Sequence, residues 1–157
     1  MAGLFDGEGS VGLSRTKNGI HPNIRLSMAH NVARDTAENF LRQEGISCYN
    51  YPKKTPHIAI ATWPASKIFT DHIAHLSIEK RPVLLLLQDA IALQERLTAS
   101  GKFSVDGLDE FIKIRERMHS FANKGPKILK PWRMDFFTAQ RSILHAYRKS
   151  YYLKYAK

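Results

Sequence analysis

The sequence predicts an α+β domain, a four-stranded antiparallel sheet with helices over one face and a helical extension at the C-terminal end. Three observations lead there. Two stretches alternate apolar with polar residues, the period of a half-buried strand, and an Asn-Gly turn joins them. Two further short runs, rich in aromatic and branched residues, flank a turn bounded by prolines. Between and after these pairs the apolar spacing lengthens to that of helices. The 157 residues suit one compact domain with an appendage.

Residues 2–7 open in helix, and Gly7, Gly9 and Gly12 end it and begin an extended segment. There Val11 and Leu13 alternate with Ser10, Gly12 and Ser14. Lys17-Asn18-Gly19 turns the chain, because Asn-Gly accepts positive φ cheaply. Ile24, Leu26 and Met28 then alternate with Asn23, Arg25 and Ser27, completing a hairpin. Asp35 or Thr36 is placed to cap a helix reaching Glu44, with Phe40 and Leu41 inward and Gly45 as its stop. Strands over residues 46–51 and 57–63 surround the turn at residues 52–56. Helices follow over residues 65–75 and 82–97, the second with Pro82 in its first turn. Another spans residues 106–122. Two prolines and a glycine make residues 123–133 a linker, and a last helix covers residues 134–155, with Phe137, Leu144, Tyr147 and Tyr151 on one stripe. The expected division is a core at 1–98, an added helix packed on it at 99–123, and a basic linker and helix at 124–157.

Charge narrows the function. Lys and Arg number 24 against 14 Asp and Glu, a formal net charge of +10. Residues 124–157 hold nine of the basic side chains and a single acid, Asp135. So one-sided an excess implies a polyanionic partner. No basic amphipathic helix opens the chain, which favours nucleic acid over an anionic membrane. The longest apolar run, residues 83–87, is too short to span a bilayer. No secretory leader is evident, and the lone Cys48 excludes a disulfide framework and a cysteine-based zinc site, so an intracellular, reducing location is expected. His72 and His75 stand at i, i+3 without an evident third ligand, and no nucleophile-elbow motif occurs.

The segment Ala2-Gly3-Leu4-Phe5-Asp6-Gly7-Glu8-Gly9-Ser10 resembles the LAGLIDADG signature of homing endonucleases, with Met1 standing loosely for its first leucine. The order of elements is similar to that family's αββαββα core over residues 1–97. The resemblance implies that small Ala2 and Gly3 let two such helices meet at a two-fold axis, with Leu4 and Phe5 facing the two cores. The implied dimer interface takes in Ala2, Gly3, Phe5, Asp6 and Gly7. Glu8, where the family usually has Asp, is the implied metal ligand, assisted by the backbone of Gly7. The implied cation is Mg²⁺, with Mn²⁺ or Ca²⁺ able to substitute in binding. Paired carboxylates repel unless a cation joins them, and that cation activates water and neutralises phosphate charge. The resemblance also implies a polar or basic group after the second strand, Asn31 or Arg34. A further one belongs before the helix that follows the second hairpin, Lys80 or Arg81, although strict register puts Glu79 there. Arg34 and Lys80 are therefore the candidates to orient water and steady the phosphate.

If the apolar strand residues face the helices, the opposite face carries Ser14, Thr16, Asn23, Arg25, Ser27 and Asn31. Lys17, Asn18 and His21 sit at the tip, and Tyr49, Tyr51, Lys53, Lys54 and His57 come from the second hairpin. A twisted β-ribbon of this kind fits the DNA major groove. The motif occurs once, so two chains would share a site and the double-stranded target would be near-palindromic. The expected activity is site-specific, metal-dependent cutting of both DNA strands. An intron-RNA maturase and a non-cutting DNA-binding protein on the same scaffold are the alternatives.

Overall fold

The computed structural model describes residues 1–16, 19–29, 31–52, 56–102, 104–121 and 132. In chain order the elements are α1 (Ala2–Glu8), β1 (Gly9–Thr16), β2 (Gly19–Ser27), α2 (Asn31–Gln43), β3 (Tyr49–Tyr51) and β4 (His57–Ile60). Then come α3 (Trp63–Ile73), α4 (Arg81–Ala99), a 3₁₀ turn (Ser104–Gly107) and α5 (Leu108–Ser120). The four strands form one antiparallel sheet in the order β1-β2-β4-β3.

Strand alternation sorts the two faces as the sequence implies. Leu13, Ile20, Ile24, Leu26, Ile58 and Ile60 are buried on the helix side. Phe69 of α3, Leu84 and Leu87 of α4, and Phe111 of α5 join them in a single cluster. Each large side chain so enclosed contributes about 1.5–3 kcal/mol by leaving water. Phe5 is fully buried in the same cluster, edge-on to Phe69 with ring centroids 4.9 Å apart. That contact seats α1 on the body of its own chain.

Several boundaries differ from the sequence expectation, each for a local reason. Helix α2 begins at Asn31 rather than at Asp35 or Thr36. The Thr36 hydroxyl donates to the Val32 carbonyl one turn back, at 2.8 Å, instead of capping. Strand β4 stops at Ile60, because Thr62 caps α3 by accepting from the Ala65 amide and Pro64 lies in the first turn. Those start signals outweigh the strand preference of Trp63. Strand β3 is only three residues long, although Ile46 and Cys48 before it remain buried. Ahead of α5 the chain winds a 3₁₀ turn in which Gly107 approaches α4, where an added Cβ would stand 2.7 Å from Leu97 Cδ1. The expected linker and last helix lie outside the described residues, apart from Trp132, over whose ring the Arg115 guanidinium sits at 4.6 Å. Among the described residues no helix is long and apolar enough to cross a membrane.

Candidate active site and nucleic-acid interface

The site is built where α1 runs directly into β1. Glu8 is the last residue of the helix, Gly9 the first of the strand, and the Glu8 side chain is exposed. Gly9 is required at this junction. A Cβ there would fall 2.3 Å from the Phe5 carbonyl oxygen and 2.4 Å from its ring. The helix end is thus pressed onto Phe5, and Phe5 onto the core, which holds the Glu8 backbone in place. At Gly3 and Gly7 an added Cβ would meet nothing within 4 Å. That face of α1 is open, as an interface helix would require.

Two members of the expected dimer interface are placed differently. Phe5 has no exposed surface, so its ring serves its own core and not a partner. Asp6 is engaged within its own chain. It accepts hydrogen bonds from the Ser77 hydroxyl, from the Ile78 amide at 2.9 Å and from the Lys80 amide at 3.1 Å. Burial opposes ionisation of Asp6, but these donors outweigh it and hold the carboxyl below its usual range. The reason is legible at α4, which has no acidic residue in its first turn and no side-chain cap at Lys80. A helix start leaves amides unsatisfied and carries a positive dipole end. Asp6 supplies the missing acceptor from across the molecule. The signal in the sequence was the uncapped helix start at residues 77–81, not any motif around Asp6.

Of the two basic candidates, Lys80 is half-buried and its backbone is tied to Asp6, two residues before Glu8. Arg34 is different. Its side chain is 6 % exposed on α2, and its charge helps hold the Glu38 carboxyl low. Enclosed there, it sits apart from the exposed face on which Arg25 and Tyr49 stand. Asn31 opens α2.

Across the sheet, the register aligns the expected face in rows. Ser10, Arg25, Ala59 and Tyr49 form one row, and Ser27, His57 and Tyr51 another. Gly12 pairs with Asn23 and Ser14 with His21. Thr16, Arg25, Ser27, Tyr49 and Tyr51 are exposed, and Ser14, His21, Asn23 and His57 half-buried. Strand pairing therefore brings Ser14, Thr16, His21, Asn23, Arg25, Ser27, Tyr49, Tyr51 and His57 onto one surface. Arg25 Nε donates to Asn23 Oδ1 at 3.0 Å, and the Tyr51 ring stacks on His57 with centroids 4.7 Å apart. These contacts fix side chains that would otherwise swing freely. Burial lowers the pKa of His21, which favours the neutral ring with one donor and one acceptor. Lys17, Asn18, Lys53 and Lys54 lie outside the described residues.

Among the described residues no three His, Cys, Asp or Glu side chains stand close enough to hold a metal ion. One chain offers an exposed carboxylate at Glu8 and an open backbone at Gly7, oxygen donors of the kind hard divalent cations take. The donors fit such a cation in chemistry but are too few without a second set.

No family model and no curated protein matches the sequence. Solved structures do. The archaeal intron-encoded homing endonuclease I-Vdi141I, complexed with DNA, superposes with a TM-score of 0.64 at 13 % sequence identity, over 90 % of this chain and 94 % of that one. The homing endonuclease I-CvuI, in complex with the I-CreI target, gives 0.64 at 9 % identity over 92 % and 91 %. The LAGLIDADG meganuclease I-AabMI, bound to uncleaved DNA, gives 0.60 at 15 % identity over 90 % of this chain but 54 % of that one. By its sheet order, its helix-to-strand junction and these superpositions, the chain has the fold of the LAGLIDADG homing endonucleases.

Proposed function

We propose that the chain is a site-specific double-strand DNA endonuclease that works as a homodimer with a divalent metal at a shared site. The observation that carries this is the exposed Glu8 carboxylate at the end of α1, contiguous with a sheet whose uncovered face is lined with polar and aromatic side chains. DNA lying along that face brings its backbone past Glu8.

The dimer is supported by counting donors. One chain presents too few oxygens for a cation, and a second copy related by a two-fold axis through α1 doubles them. The open surface at Gly3 and Gly7 leaves room for that approach. The chain also spans nearly all of I-Vdi141I but about half of I-AabMI, as one of two like halves would. Glu8 and the Gly7 carbonyl would hold the ion; when bound, it supplies an activated water and neutralises the phosphate. Arg25, Asn23 and Ser27 contact base edges, where bidentate donors and acceptors discriminate between pairs. Lys80, whose backbone is tied to the end of α1 through Asp6, would steady negative charge on the phosphate.

The test begins with a randomised duplex library, from which cut molecules are selected in Mg²⁺. Wild-type protein is expected to enrich a near-palindromic sequence and to cut both strands. Glu8→Gln should lose cutting while Ca²⁺-supported binding to the same duplex stays nearly unchanged. Equal cutting by the variant refutes the role of Glu8, and enrichment of no duplex refutes the nuclease.

A further inference from the structure

We propose that Asp6 is a positioning residue for phosphodiester hydrolysis, one that fixes the Lys80 backbone, and so a cation, against the end of α1 where Glu8 stands. The proposal rests on the nuclease reading above. Both Asp6 oxygens are committed inside the chain, Oδ1 to the Ser77 hydroxyl and the Lys80 amide, and Oδ2 to the Ile78 amide. A carboxylate so engaged has little capacity left for a cation or a partner helix. It also ties the end of α1 to the start of α4, which brings no side-chain cap of its own. Asp6 and Glu8 lie on the same rigid turn of α1. Movement of the 77–80 loop relative to α1 is therefore movement of Lys80 relative to Glu8. Lys80 is half-buried, so its stem lies against protein and its reach follows its backbone.

The experiment compares Asp6→Asn, Ser77→Ala, Lys80→Met and the doubles Asp6→Asn/Lys80→Met and Ser77→Ala/Lys80→Met in the full-length protein. Single-turnover cutting is measured in Mg²⁺ on the duplex selected by the wild type, binding in Ca²⁺, and amide exchange at Ile78 and Lys80. Asp6→Asn is expected to slow cutting by about 10- to 100-fold, with binding little changed. Ser77→Ala removes one donor, keeps the acid, and gives a smaller loss should Asp6→Asn fold poorly. Asp6→Asn, which weakens the acceptor of both amides, should speed exchange at Ile78 and Lys80 while Ser77→Ala leaves them closer to wild type, and both should cost little more once Lys80 is already Met. Additive losses in the doubles, loss of binding in step with cutting, or amides equally protected in Asp6→Asn would overturn the role of Asp6 alone. A wild-type protein that cuts no duplex would sink the nuclease reading and the catalytic role together.

Discussion

At the scale of single residues, the opening nonapeptide does three separate jobs with neighbouring side chains. Phe5 anchors, Asp6 caps a distant helix, and Glu8 projects. Gly9 permits all three, because its missing Cβ lets β1 leave beneath Phe5. Gly9→Ala must push against a backbone oxygen, not a flexible chain end, and should cost about 1–3 kcal/mol in denaturant melts. Phe5→Ala removes a fully buried ring and should cost about 3–5 kcal/mol. A Phe5→Ala protein as stable as wild type would mean that α1 is not docked as described. The place of Glu8 at the end of α1 was legible in the sequence because the glycines on either side mark where helix gives way to strand. The role of Asp6 was not, since the one local sign, a start of α4 without a cap of its own, does not say which distant acceptor will serve it.

At the scale of elements, α2 shows how a helix is moored to the sheet it covers. Glu38 accepts from Arg42 Nη2 at 2.7 Å, one turn along, and from Asn50 Nδ2 of β3 at 2.6 Å. The hydrogen bonds from Arg42 and Asn50, in that order, hold the Glu38 carboxyl below its ordinary value against the opposing effect of burial. A carboxyl depressed on folding adds stability that is fully present above the unfolded pKa. The contribution fades as pH falls through the folded value. Lowering pH from about 5 to about 3 should therefore destabilise wild type more than Glu38→Gln in urea melts, so the two curves converge in acid. Parallel curves would show that the mooring carries no linked proton. Thr62→Ala should cost α3 about 0.5–1 kcal/mol, at the low end for a cap, since its bond to the Ala65 amide is long at 3.4 Å.

Strands and helices were readable in the sequence wherever period alone decides. The β1–β2 hairpin, with Leu13, Ile24, Leu26 and Met28 buried as expected and Val11 partly so, is the clearest case. Boundaries were less so. Thr36 and Thr62 are both polar residues at plausible helix starts, and only packing decides that one bonds back within a helix while the other caps. Arg34 illustrates the same limit. A basic residue at the right distance along the chain carries no mark of which way α2 will roll, and here it rolls inward.

For the whole molecule, the proposed function asks the sheet to give DNA a surface and α1 to give a second copy a place to pack. The two functions separate experimentally. Gly3 is exposed with open space around it, so Gly3→Ala should leave the monomer as stable or up to about 1 kcal/mol more so. The same substitution should weaken self-association in sedimentation runs, because the added methyl stands where the partner helix would approach. A variant that associates as tightly as wild type would place the dimer elsewhere. Binding to DNA should fall steeply with salt, as expected when the +10 chain displaces counterions from phosphates. A salt-independent affinity would deny the charge that role.

Bonds from Asp6 to Ser77 and Lys80 span 71 and 74 residues. As the chain is made, the segment that bears Glu8 is consequently among the last to find its seat. The helix end that bears Glu8 has neither Phe69 to rest on nor the start of α4 to hold until both have emerged. Closing so long a loop is slow beside the hairpin and helices that form locally. A chain cut short before Phe69 therefore carries Glu8 on a helix end with neither mooring.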